Sequence, residues 1–380
     1  MKKLLMILLN EFTHDNRVLN EARSLREYGY NVTVIAFHKD GLPADEVIDG
    51  VKVHRIKLLT KSRNKGFFIK AIKYFLFFFK IVVYYKSKNI FLIHCHDLLA
   101  LPIGVFFKWA SFNFIHVIYD AHEHETQRNG LTGIGKIIAI IIERLLIKYA
   151  DAVIVVSDSI AEEYSRLYYI KKPEVILNCP LVTSQTLLSH DHFRKRFGIR
   201  KDQLIFLYQG YLCKGRGIEI LIEAFLKKSD DKHVIIFMGE GELYKRIIIS
   251  NQSNKILFYH KPVSPGVLLE YTASADFGVS FIEDVSLSDR YCLPNKMFEY
   301  LAAGLPIICS NLPEMKRFVD KYKVGVVALE NNVRGFISAV EEITNMDKKE
   351  LLDNVNRTAP LFTWKSQEIK LLALYSSFNK

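Results

Sequence analysis

Cysteine is scarce and badly placed for structural work. Cys95, Cys179, Cys213, Cys292 and Cys309 are the only five in 380 residues, and none are spaced C-x-x-C. This argues against a disulfide framework or a structural zinc site, and a reducing compartment fits best. Proline (10) and glycine (19) are few and 49% of residues are hydrophobic, which excludes a disordered chain. No stretch reaches the roughly 18 uncharged apolar residues of a membrane span. Met1–Leu9 imitates a secretory signal through Lys2, Lys3 and an apolar run, but Leu4–Leu9 is too short and Asn10-Glu11 follow without a small-residue cleavage site. It reads as a buried first strand. Also missing are a Walker lysine, a G-x-G-x-x-G fingerprint, H-E-x-x-H and D-x-D.

What the chain does have is alternation. Short apolar runs are separated by amphipathic stretches, the pattern of parallel sheets with crossover helices. In the first half the expected strands are Leu4–Leu9, Val32–Phe37, Val51–Arg55, Ile90–His94, Phe114–Tyr119 and Ala152–Ser157, with helices over Asn16–Tyr28, Gly66–Lys86 and Gly135–Tyr149. Asn178-Cys179-Pro180 interrupts this rhythm, and a linker is expected from Asn178 to Ser189. Strands resume at Leu204–Gln209, His233–Met238, Lys255–Tyr259, Phe277–Phe281 and Pro306–Ser310. Helices are expected over Ile218–Lys228, Ser264–Ser274, Pro294–Ala303 and Asn332–Asn345. The fold class is α/β, with two doubly wound halves. Ligands of such sheets bind beyond the carboxyl ends of strands, which directs attention to the loops there and to a cleft between the halves.

Three such loops carry polar chemistry. Gln209–Gly217 places three glycines with Lys214 and Arg216 between a strand and a helix, suiting a diphosphate, and Gly239-Glu240-Gly241 repeats the small-residue theme. Asp289–Glu314 contains a helix opening at Pro294, whose free N–H groups and positive dipole can hold a phosphate. Glu299, one turn in, can accept hydrogen bonds from a ribose; the alternative is a solvated helix residue. Tyr119–Glu125 (Y-D-A-H-E-H-E) reads as a polar strand-end loop facing a cleft, with His122 able to bond a substrate. His122 and His124 diverge at i, i+2, which argues against zinc. His94-Cys95-His96-Asp97 reads as a satisfied strand-end cluster.

Charge is uneven. Lys and Arg total 52 against 41 Asp and Glu, leaving a net charge of +11. Nine basic residues and no acid fall between Lys57 and Lys88, among them Lys61, Arg63, Lys65, Lys70, Lys73 and Lys80. On a helical wheel Lys65, Lys70, Lys73 and Lys80 share one side, opposite Phe68, Phe75, Phe78, Phe79 and Val82. Such a helix suits an anionic membrane surface. A core crossover helix with solvated lysines is the alternative, and nucleic acid is disfavoured because the aromatics form a broad apolar face.

Taken together, Asp15–Leu25 (D-N-R-V-L-N-E-A-R-S-L), Tyr119–Glu123, Val153–Ser157, Gly210–Gly217 and Pro294–Ile308 (P-N-K-M-F-E-Y-L-A-A-G-L-P-I-I) resemble family 4 of the retaining glycosyltransferases. The resemblance implies a GT-B fold of two Rossmann-like domains facing a central cleft. Residues 1–178 would form an acceptor-side domain, completed by a C-terminal helix within 364–380, and 179–363 a donor-binding domain. It further implies a nucleotide-diphosphate-sugar donor, no cofactor and no metal. A saccharide or lipid-linked saccharide acceptor, used in surface polysaccharide synthesis at the inner face of the cell membrane, completes the expectation. Catalysis would fall to His122, Arg216 and Lys214, and donor binding to Gly210, Tyr211, Gly215, Gly239, Tyr291, Cys292, Leu293, Pro294, Asn295 and Glu299. Asn10, Asp15, Asp97 and Glu123 would line the acceptor side. Two departures stand out: Tyr211 replaces the family's arginine, and Tyr291 replaces the first acid of its E-x7-E pair. A nucleotide-sugar epimerase of the same fold and a non-catalytic partner subunit are the alternatives.

Overall fold

Buried on both faces, the apolar runs become parallel strands linked by helices, as continuous Val/Ile/Leu/Phe segments require. The computed structural model describes every residue except 14, 59–66, 183–190, 229, 252–254 and 380. The chain divides into Met1–Ile176 with Glu368–Lys380, and Leu177–Gln367.

The first unit holds β1 (Lys3–Ile7), β2 (Asn31–Phe37), β3 (Asp45–Ile48), β4 (Val51–Ile56), β5 (Leu92–His96), β6 (His116–Ala121), β7 (Ala152–Val155) and β8 (Glu174–Val175). Their order is β3-β4-β2-β1-β5-β6-β7-β8, parallel except for the β3–β4 pair. Its helices are α1 (Asn16–Glu27), α2 (Phe67–Tyr85), α3 (Leu101–Ala110), α4 (Gly133–Leu146) and α5 (Asp158–Tyr168). Leu4, Leu5, Met6 and Ile7 are fully buried, so the first apolar run is a central strand of the core.

The second unit holds β9 (Leu204–Gln209), β10 (His233–Met238), β11 (Leu257–His260), β12 (Phe277–Ser280), β13 (Ile307–Cys309) and β14 (Gly325–Val327). The order β11-β10-β9-β12-β13-β14 is the 3-2-1-4-5-6 arrangement of a dinucleotide-binding sheet, with the switch point between β9 and β12. The helices are α6 (His192–Phe197), α7 (Ile218–Lys228), α8 (Tyr244–Asn251), α9 (Leu268–Thr272), α10 (Leu287–Arg290), α11 (Asn295–Ala302), α12 (Pro313–Tyr322), α13 (Val333–Asn345) and α14 (Lys348–Thr358). Finally α15 (Trp364–Ser376) starts in this unit, where Gln367 accepts the Leu177 N–H, and crosses back to the first, where Tyr375 is buried.

Several expected boundaries move. The strands expected at Ile90–His94 and Phe114–Tyr119 run two residues later, because Leu92 pairs with His116 and the turn at Phe112-Asn113 leaves Phe114 exposed. That shift carries His96 and Asp120 into strand ends. The β3–β4 hairpin was not expected, although Asp49-Gly50, both at positive φ, is its turn signal. Part of the expected linker, 183–190, lies outside the described residues.

One contact sets the switch point. The registered β9–β12 pairs are Phe206–Phe277 and Leu207–Gly278, and beyond them Tyr300 of α11 inserts its hydroxyl. That hydroxyl accepts from Gln209 N–H (3.1 Å) and donates to Val279 O (3.0 Å). The ring fits because Gly278 has no side chain: a Cβ there would lie 2.2 Å from Tyr300 Cγ. Gly278→Ala should cost about 1–3 kcal/mol by overpacking. Gly266→Ala, with nothing within 4 Å of its Cβ, should stay within about 0.5 kcal/mol of wild type in urea denaturation. Equal midpoints for the two variants would contradict this account.

Candidate functional site

In the first unit, β5 and β6 deliver a charged cluster to the carboxyl edge of the sheet. The Asp120 carboxylate is fully buried and bound by Arg17 on α1, with Nη2–Oδ1 at 2.8 Å and Nε–Oδ2 at 3.0 Å. Arg17 also donates to Ile176 O (2.8 Å) and reaches Glu21 Oε1 (3.1 Å). His122 Nε2 lies 3.2 Å from Asp120 Oδ2 and 3.1 Å from His96 Nδ1, while its Nδ1 faces Asp97 Oδ1 at 3.5 Å. Asp97 itself takes a φ of 64°, a rare backbone for a non-glycine residue. The Tyr375 hydroxyl of α15 lies 2.7 Å from His94 Nδ1.

The charges sort by environment. Burial pushes Glu21 up to about 8, assisted by Asp120, so it is protonated at neutral pH. Burial also lowers His94 and takes His96 down to about 3, leaving both neutral. At Asp120 burial is outweighed by Arg17 and His122, which hold the carboxylate well below its usual range. At His122 burial is likewise outweighed, here by Asp97 and Asp120, and its pKa rises to about 10. His122 is thus an imidazolium, a donor rather than a base.

The cluster differs from the expected satisfied one. Both Glu21 oxygens, His94 Nε2 and His96 Nε2 are buried without an aligned hydrogen-bond partner. Donor atoms of Glu21, His94, His96 and Asp120 lie within 4.8 Å of one another, an arrangement with metal-ligand chemistry, but the Arg17 guanidinium already occupies the carboxylate side. Nor is Tyr119–Glu125 an open polar loop: Tyr119, Asp120, His124 and Glu125 are buried, and only His122 and Glu123 keep some exposure. Glu123 pairs with Arg128 at 3.6 Å. Asp15 caps α1 by accepting Val18 N–H (3.2 Å) and takes a bond from Asn10 Nδ2 (3.2 Å), so those two residues meet each other at the β1 end.

In the second unit, the turns after β9 and β10 are built on each other. A Cβ on Gly239 would lie 1.8 Å from Gly210 O and one on Gly241 would lie 2.3 Å from Leu212 O, so both glycines are packing requirements of the β9 turn. Gly217, at φ 68°, abuts Phe281 O. Arg216 sits half-buried, 3.7 Å from Asp289 Oδ1, while Lys214 and Tyr211 are exposed. Across the switch point, Glu299 Oε2 accepts from Gln209 Nε2 at 2.5 Å, and Gln209 Oε1 accepts from Thr272 at 2.8 Å. Burial raises the Glu299 pKa. The strand-end crevice beyond β9 is thus bounded by Glu299 of α11, which meets Gln209, and by Arg216, which pairs with Asp289 of α10. Lys296, which sequence spacing gave no reason to prefer over its neighbours, points into the same place.

The first unit also carries an apolar surface. Phe77, Ile81 and Tyr85 form the buried stripe of α2, while Ile72, Phe75 (67% exposed), Leu76, Phe79 (65% exposed) and Val83 face outward. Phe78 is half-buried against Phe106 of α3. Ile134, Ile137, Ile138, Ile141 and Leu145 of α4 are exposed as well. Lys70 is exposed, Lys73 is half-buried and Lys80 donates to Lys57 O. Lys61, Arg63, Lys65 and the Phe68 side chain lie outside the described residues. Among the described residues no helix is long and apolar enough to cross a membrane.

Two parallel-sheet α/β units, with a terminal helix that starts in the second and returns to the first, form the GT-B fold. Residues 15–179 match the model for Glycosyltransferase Family 4, and residues 203–346 match that for Glycosyl transferases group 1. The chain belongs to the family 4 glycosyltransferases. It is similar to the chitobiosyldiphosphodolichol beta-mannosyltransferase of Kluyveromyces lactis, at 24% identity over all of this chain and 87% of that protein. Its fold is similar to sucrose-phosphate synthase from Thermosynechococcus elongatus (TM-score 0.77, 18% identity, 99% of each chain). It is also similar to Anabaena HepE in complex with UDP-glucose (TM-score 0.73, 12% identity, 99% of this chain and 100% of that one).

The sign of the His122 shift gives a test. From its ordinary value of 6.5 up to about 10, the folded chain holds a proton that the unfolded chain releases. The stability this supplies is complete below pH 6.5 and is lost as pH rises through 10. His122→Gln should lower Tm more at pH 6 than at pH 9.5, and an equal deficit at both would refute the assignment.

Proposed function

We propose that this glycosyltransferase moves a sugar, with retention, from a nucleotide-diphosphate-sugar to a saccharide or lipid-linked saccharide in surface polysaccharide synthesis. The observation that carries the reading is the crevice at the β9–β12 switch point. There a glycine turn, Arg216, the start of α11 and Glu299 meet where a doubly wound sheet binds a nucleotide. Arg216, Lys214 and the α11 N-terminus stabilise the departing diphosphate, the main electrostatic demand of the step. Glu299 receives the ribose hydroxyls, with Gln209 holding one of its oxygens.

In this reading the acceptor oxygen bonds to the anomeric carbon as the bond from that carbon to the diphosphate breaks. The acceptor's proton passes to the leaving phosphate oxygen, so no separate base and no metal enters the step. His122, held as an imidazolium, acts as a hydrogen-bond donor rather than a base in this reading. Tyr291 alters sugar choice rather than abolishing transfer, while Tyr211 leaves the diphosphate site one cation fewer. The domain roles follow: acceptor on the first unit, donor on the second. Nucleotide release measured over a panel of nucleotide-sugars, with and without acceptor, tests the reading. Arg216→Ala should slow release by about a hundredfold or more, and near-normal rates would remove Arg216 from the diphosphate site. Sugar conversion without acceptor would point to an epimerase, and inertness with every donor to a partner subunit. Proton NMR of the product reports the anomeric outcome, and inversion would refute retention.

The acceptor class draws on the Kluyveromyces lactis relative, whose name specifies a dolichol-linked saccharide. It also draws on the outward faces of α2 and α4, whose aromatic and isoleucine side chains lie beside lysines, as suits the cytoplasmic face of an anionic bilayer. In flotation with phosphatidylglycerol-containing vesicles, Phe75→Ser with Phe79→Ser should abolish co-flotation, and high salt should weaken it. Unchanged flotation of the double variant would overturn membrane attachment through α2.

A further inference from the structure

Lys296 occupies the first turn of α11 and reaches across the carboxyl end of β9. Its Nζ lies 3.7 Å from the centre of the Tyr208 ring, and a Cβ on Gly210 would meet Nζ at 3.5 Å and Cε at 3.6 Å. The ammonium therefore lies over the very turn that faces the crevice. Among the described residues no carboxylate forms an ion pair with it; an aromatic face is a weak counterpart for a half-buried cation.

The surrounding charges make this placement unfavourable without an anion. Burial, and then the Arg216 guanidinium, push Lys296 down to about 7, with Glu299 pulling the other way. Glu299 has one oxygen engaged by Gln209, and Asp289 is paired with Arg216. The Cys213 and Cys292 thiols and the Tyr208 phenol complete the surroundings. Burial pushes Cys292 up to about 12 and raises Tyr208, so neither supplies a negative charge at neutral pH. Two cations that repel one another across a glycine turn create a positive potential that a phosphate relieves.

We propose that Lys296 binds the donor diphosphate together with Arg216, supplying the positive charge that Tyr211 does not. This inference rests on the nucleotide-sugar reading of the crevice and adds a residue that the reading did not contain. The substitution at 211 is then compensated from the opposite wall: one cation comes from the β9 turn and one from α11. A consequence follows from linkage. Diphosphate binding raises the lysine's affinity for its proton, so donor binding near pH 8 takes up a proton. A nucleotide-sugar has no phosphate group titrating there, so the uptake belongs to the protein.

The test is calorimetric titration of the full chain with UDP-glucose, GDP-mannose and ADP-glucose at pH 8, in buffers of differing ionisation enthalpy. With the nucleotide-sugar that binds, wild type should take up a proton. Lys296→Met should lose that uptake and bind about tenfold more weakly or worse. Lys296→Arg should keep most of the affinity with no uptake, since a guanidinium stays protonated throughout. Because the lysine's ordinary value of 10.5 falls to about 7 on folding, its charge opposes folding at neutral pH. Lys296→Met should therefore melt no lower than wild type. Retained affinity and uptake in Lys296→Met would overturn the inference, as would weakened binding with a lowered Tm, which marks a structural role. If wild type binds none of the three donors while remaining folded, the nucleotide-sugar reading itself fails, a result distinct from either.

Discussion

The second unit depends on a phenol placed where a strand–strand hydrogen bond would otherwise run. At the switch point β9 and β12 part, and both Gln209 N–H and Val279 C=O need partners in a dry interior. Tyr300 satisfies both with one hydroxyl. Because Tyr300 belongs to α11, the same contact sets the height of that helix over the sheet. Glu299 and Lys296 are thereby held at the strand ends, next to the glycine turn. Gly278 is the cost of the arrangement, since any larger residue would occupy the ring's place. Sheet divergence, helix position and the placement of two charged side chains are one constraint seen at three levels.

The first unit builds its strand-end site by a different means. Instead of a neutral wedge it buries a charged group, Asp120, and surrounds it with Arg17, His122, His94 and His96. A buried pair of this kind adds little net stability, because desolvation offsets attraction. What it does is assign protons: it keeps Asp120 ionised, Glu21 protonated and His122 cationic at the partly exposed edge. The unaligned atoms of Glu21, His94 and His96 behind it are the corollary, as a network this dense cannot align every donor and acceptor. The Tyr375 contact to His94 explains why α15 returns to this unit: its end completes the wall of the cluster.

Both patterns bear on what could be read from residues alone. Continuous apolar runs bounded by glycine or charge gave β9, β10 and α7 to the residue, because nothing competes with burial there. The strands β3, β8 and β14 escaped: β3, with two acids in four residues, pairs only through its hairpin turn, and β8 and β14 are two and three residues long. Arg216 and Glu299 could be named from their motifs. Lys296 could not, because its role depends on the Tyr208 ring and the Gly210 turn, which lie almost ninety positions away in the chain. The Glu21–His94–His96–Asp120 group was hidden for the same reason, being assembled from three separate elements.

Helical periodicity has a related blind spot in α2. It places lysines and aromatics on different sides of a wheel, but it cannot say whether an apolar face meets a core or stays outside. The stripe that meets the core is Phe77, Ile81 and Tyr85, which leaves Phe75 and Phe79 facing outward at an energetic loss for a helix surrounded by water. The exposed isoleucines of α4 incur the same loss, and neither face is needed to close the sheet. Large apolar surfaces that the fold does not require are ordinarily explained by something that covers them. Here the residues interleaved with them are basic, and the proposed attachment to an anionic bilayer would answer both the apolar face and the charge beside it.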